Sequence, residues 1–61
     1  MIRYREALSR LSREDQECLI ARLEMGYSYG EVATLLGKPS TDAARMAVTR
    51  AFARLSERLR E

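Results

Sequence analysis

Sixty-one residues make room for one small domain and no second one. With 46% hydrophobic and 33% charged residues, the chain suits amphipathic helices better than a disordered tail. Its longest apolar run, residues 18–21, falls far short of the roughly 20 residues that cross a bilayer, and no basic-then-apolar leader opens it. The absence of His and the single Cys18 exclude an internal disulfide, a Cys/His zinc site and a His-dependent triad within this chain. No enzyme, metal, cofactor, membrane or small-molecule substrate is therefore expected, and the lone thiol fits the cytoplasm.

The net charge of +2 is modest but unevenly placed. Bases and acids cancel over residues 1–40, whereas Arg45, Arg50, Arg54, Arg58 and Arg60 outnumber Asp42, Glu57 and Glu61 beyond them. All the bases but Lys38 are Arg, the side chain that pairs bidentately with phosphate or guanine. A solvated helix face explains the same charges equally well.

No segment alternates with the period of a strand, and the helical period recurs throughout, so an all-α domain of four helices is expected over residues 1–61. The first helix, residues 2–9, places Tyr4 and Leu8 on one stripe with Leu11 next in line. Ser12 caps the second, with Glu14 and Asp15 facing the positive end of the helix dipole. Leu19, Ile20 and Leu23 form its apolar ridge, and Gly26 supplies a left-handed stop. Ser28-Tyr29-Gly30-Glu31 is a capping box for the third helix, whose Tyr29, Val32, Ala33 and Leu36 make one face before Gly37 ends it. After Lys38-Pro39, Ser40 or Thr41 caps a long fourth helix carrying the stripe Ala44, Val48, Ala51, Leu55 and Leu59, widened by Phe52. The expected core joins Leu8, Leu11, Leu19, Ile20, Leu23, Val32, Ala33, Leu36, Val48, Phe52 and Leu55.

Two helices joined by a short glycine-containing turn, the second longer and basic, outline a helix-turn-helix over about residues 28–50. If Ala44, Val48, Ala51 and Leu55 face inward, steps of about 100° put Asp42, Met46, Thr49 and Ala53 opposite them, with Ala43, Arg45 and Arg50 on the flanks. The base-reading set is therefore Thr41, Asp42, Ala43, Arg45, Met46 and Thr49. Arg45 suits guanine, Asp42 a cytosine amino group and Met46 a thymine methyl, while Ala43 permits close approach. For Met46 a packing role, and for Asp42 a plain dipole role, stay open. Phosphate contacts fall to Ser28, Tyr29, Ser40 and Arg50, with a plain cap and a core ring as the other reading of Ser28 and Tyr29. Arg54 and Arg58 read as a solvated face paired with Glu57 and Glu61.

The ordered pieces Leu11-Ser12-Arg13-Glu14, Gly26-Tyr27-Ser28-Tyr29-Gly30-Glu31-Val32-Ala33, Leu36-Gly37, and Arg50-Ala51 with Leu55 cover nearly the whole chain. In this order they resemble region 4 of the sigma-70 family, most closely the extracytoplasmic-function sigma factors. The resemblance implies a bacterial transcription initiation domain that binds the −35 promoter element as double-stranded DNA and docks on the RNA polymerase β-flap. Between Gly37 and Arg50 the chain holds one residue more than the family spacing, and Ala43-Ala44-Arg45-Met46-Ala47 replaces a frequent Thr-Val-Lys-Ser-Arg, so base preference does not transfer. No promoter-melting region fits in this length, which suggests an excised domain or a stand-alone relative.

Two other classes compete. Ile2, Tyr4, Met25 and Tyr27 exceed what so small a core can hold, and an uncovered apolar patch there suits the polymerase flap or an anti-sigma factor without any DNA readout. A LuxR-type regulator shares the Glu-hydrophobic-Ala helix, but the Gly-Tyr-Ser-Tyr start and the Arg-Ala pair favour sigma.

Overall fold

The structure, a computed structural model, describes residues 2–60, with side chains from residue 3 onward. Four helical stretches follow in chain order, and no strand occurs among the described residues. Helix α1 spans Ile2–Ser9 and ends in a tight turn, Arg10 N–H to Ala7 O and Leu11 N–H to Leu8 O. Helix α2 spans Arg13–Leu19, capped by Ser12, whose Oγ accepts from the Asp15 N–H at 3.2 Å. It widens at its end into a π turn, Ile20–Glu24, closed by the Met25 N–H donating to Ile20 O. Gly26, at φ 72°, then turns the chain out of the helix.

Helix α3, Tyr29–Leu36, carries the complete capping box read from the sequence: Ser28 Oγ accepts from the Glu31 N–H, and the Glu31 carboxylate accepts from the Ser28 N–H. Its other end is equally well closed. With Gly37 at φ 67°, Lys38 N–H reaches Ala33 O at 2.8 Å and Gly37 N–H reaches Thr34 O, the paired bonds of a Schellman stop. Such closure suits an eight-residue helix, which is too short to be stable alone. Ser40 Oγ caps α4, Thr41–Arg60, by accepting from the Ala43 N–H at 3.1 Å. At about 1.5 Å per residue its 20 residues run roughly 30 Å, which sets the 33 Å long axis of the domain.

The other helices all pack against α4. The core beneath it joins Ala7, Leu8, Leu11, Cys18, Leu19, Ala21, Val32, Ala33, Ala44, Ala47, Val48, Ala51 and Leu55. Three alanines on the inner side of α4, Ala44, Ala47 and Ala51, let neighbouring helices come close, with Leu19, Val32 and Leu55 filling the core around them. Ile20 and Leu36 sit at the margin, half-buried against this core.

Two residues expected inside lie at the surface. Leu23, inside the π turn, is 46% exposed, whereas Ala21 of the same turn is buried. Phe52 is 40% exposed because the buried arc of α4 is shifted toward Ala47. Arg54, which holds the buried Asp15 of α2, lies on that same flank.

Candidate nucleic-acid interface

A cross-strut ties α2 to α4. Asp15 is 6% exposed, and both its carboxylate oxygens lie 2.9 Å from Arg54 Nη1. Arg54 is thus taken out of the solvated ion-pair face expected for it and becomes a tertiary link; Glu61, one of its expected partners, lies outside the described residues. At the same end Arg3 donates to the main-chain O of Leu59, placing a cation on the last turn of α4. Every buried side-chain N or O among the described residues has a hydrogen-bond partner.

With α4 held this way, Thr41, Asp42, Arg45, Met46 and Thr49 are exposed together on its N-terminal half, and Ala43 is half-buried beside them. Met46, 50% exposed, is not a packing residue. Arg45 Nη2 donates to Asp42 Oδ1 at 2.6 Å, and this hydrogen bond and the carboxylate charge raise the guanidinium's pKa above its ordinary value. Thr49 Oγ donates to the main-chain O of Arg45 at 2.8 Å, so its proton is committed and it offers an acceptor and a methyl outward. Arg50 is exposed on the adjoining flank.

The starts of α3 and α4 lie side by side. A Cβ at Gly30 would stand 3.7 Å from Thr41 Oγ1 and 3.8 Å from Ser28 Oγ, which brings the two N-termini to one end of the reading face. Ser28 and Ser40 both accept a helix N–H, which leaves each hydroxyl its own proton to donate. Of the two readings of Tyr29, the structure has the ring: it packs at the core margin with the Arg22 guanidinium 4.5 Å from its centroid, at the first turn of α3. Arg22 also donates to Tyr27 O at 3.1 Å, tying the turn before α3 to the π segment.

The residues assigned to polymerase docking differ in burial. Tyr4 and Tyr27 pack half-buried on the core, and the Tyr4 hydroxyl meets Glu24 at 3.3 Å. The Ile2 side chain lies outside the described residues. Met25, 54% exposed, instead joins Ile20, Ala21, Leu35 and Leu36 in an apolar groove between the π turn and α3, with Glu17 at its rim. Leu35, 56% exposed, was missed in the sequence. Its signal was a large apolar side chain next to Leu36 but off the inward stripe of a short, well-capped helix.

Residues 1–55 match the family described as sigma-70, region 4. No curated protein and no solved structure matches the chain.

Proposed function

The chain belongs to the sigma-70 family as a region 4 domain, a helix-turn-helix of transcription initiation that serves promoter binding with RNA polymerase, and on that premise we propose that it reads the −35 element through the N-terminal half of α4. The observation that carries this reading is the exposed cluster Thr41, Asp42, Arg45, Met46 and Thr49, held opposite the buried alanines and next to the paired starts of α3 and α4. In a major groove the first turns of such a helix meet base edges, Arg45 pairing with guanine and Met46 touching a thymine methyl, while Ala43 keeps the backbone close. Ser28, Tyr29, Ser40 and Arg50 frame this face and hold phosphates. Within the family, the ordered pieces from Leu11 to Leu55 resemble most closely the extracytoplasmic-function type. The partners are then double-stranded promoter DNA and the polymerase β-flap in the cytoplasm.

The apolar groove supports the docking half of the proposal and also the second reading, a module that binds the flap or an anti-sigma factor without reading DNA. Of the residues first assigned to docking, Met25 keeps its place, and Leu35 joins it. Binding to random duplex at two salt concentrations, followed by selection of bound sequences, separates the two readings. Promoter reading gives a steep loss of affinity with salt and an enriched sequence. Met25→Ser with Leu35→Ser should abolish flap binding and leave both DNA results unchanged. No salt-dependent DNA binding, with flap binding intact, establishes the protein-only module.

A further inference from the structure

The Asp42–Arg45 contact has no structural work to do. Both side chains are more than half exposed, at 72% and 53%, and exposed pairs one turn apart add little to helix stability. Yet the contact, at 2.6 Å, lies in the middle of the face turned toward DNA. Its Asp is itself anchored, since it stands in the first turn of α4, where unpaired N–H groups and the helix dipole favour a carboxylate.

We infer that Asp42 is a positioning residue for Arg45, holding the guanidinium ready for one base, and is not itself a reader of cytosine. This rests on the promoter-reading proposal above. Guanine recognition needs two parallel N–H donors from one edge of the guanidinium, for O6 and N7. Nη2 carries two hydrogens, one on each of the two edges that offer paired donors. Asp42 Oδ1 takes one of them, so the other edge keeps both its donors for a base. An unrestrained arginine must give up its rotamer freedom on binding and can swing to the nearest phosphate instead. The tether removes the first loss in advance, and the carboxylate charge repels the phosphate that would compete. Asp42 thereby raises specificity at the expense of non-specific attraction, which is how a repulsive group sharpens recognition.

The test compares the unaltered chain with Asp42→Ala, Arg45→Ala, the double replacement and Asp42→Asn. Sequences are selected from random duplexes, and affinity is then measured for the preferred duplex and for a random duplex. All five proteins should stay folded with similar melting, the three that lose the Asp42 charge melting slightly lower for want of its dipole contribution, because the pair itself is exposed. Asp42→Ala should relax preference at the same base pair as Arg45→Ala, weaken the preferred duplex by about three- to tenfold, and bind random duplex as tightly or more tightly. The double replacement should match Arg45→Ala alone. Asp42→Asn, whose amide oxygen still accepts from Nη2, should restore part of the preference. Relaxation at a different base pair, additive with Arg45→Ala, would make Asp42 a direct reader and overturn the inference. So would an unchanged preference in Asp42→Ala alongside a relaxed one in Arg45→Ala, which leaves Asp42 as a dipole partner. An Arg45→Ala protein that keeps every preference removes the promoter reading through Arg45, and the inference with it.

Discussion

Arg45 and Arg54 stand on the same helix, each holding an aspartate, and the two pairs have opposite consequences. Arg45 reaches Asp42 one turn back, with both groups in solvent. Arg54 reaches Asp15, 39 residues away in the chain, whose carboxylate is buried. Burial is what separates them. A carboxylate out of water must keep its cation or suffer the full desolvation penalty, so the Arg54 pair holds α2 against α4. A carboxylate in water loses little when its partner leaves, so the Arg45 pair is free to serve recognition. The C-terminal half of α4 braces the fold, and its N-terminal half presents the proposed reading face.

The most severe way to break this division is to remove packing from the bracing half. Leu55→Ala, at a residue 4% exposed, should cost about 2–5 kcal/mol by thermal or denaturant unfolding, a large share of what so small a domain has. Leu36→Ala should fall at or below the lower end of that range, since its side chain is only half-buried. A Leu55→Ala protein with unchanged melting would mean the core is not where these residues place it.

Next in size is the strut. Arg54→Ala should destabilise by about 1–3 kcal/mol, because both carboxylate oxygens of the buried Asp15 lose the guanidinium that donates to them. Arg45→Ala should stay within about 0.5 kcal/mol of the unaltered chain in the same unfolding experiment. Equal stability losses would erase the contrast between the two halves.

The smallest effect sharpens the boundary between them. Arg50 is exposed one turn beyond Arg45, where on the proposed reading the helix leaves the groove. Arg50→Ala should weaken all duplexes alike and lower the slope of log affinity against log salt by about one unit. A change of base preference on this replacement would extend the reading face past Thr49.

Helix ends were legible before any coordinates because they are local chemistry. The Ser28–Glu31 capping box, the glycines at 26 and 37, the serine cap at 12 and a cap at 40 or 41, which falls to Ser40, each act on groups within a few residues of themselves. The outward face of α4 was legible for the same reason: once Ala44, Val48, Ala51 and Leu55 point inward, helical geometry leaves Asp42, Met46 and Thr49 outside. The motif order that matches sigma-70 region 4 is likewise a property of the chain alone.

Contacts across the fold were not legible. Nothing near Asp15 in the chain announces that Arg54 will meet it, since i, i+3 and i, i+4 spacing speaks only for neighbours on one helix. The π turn at Ile20–Glu24 also escaped, because its residues are compatible with an ordinary helix and the wider turn is set by packing. That Leu23 and Phe52 lie outward, and that Met25 and Leu35 share a groove, was equally hidden. The sequence by itself determined four helices, their caps and the face that α4 turns to solvent, because these depend on residues within one or two turns of each other. Only the tertiary structure decided which apolar side chains were covered and which arginine became a strut, because burial is a property of distant neighbours.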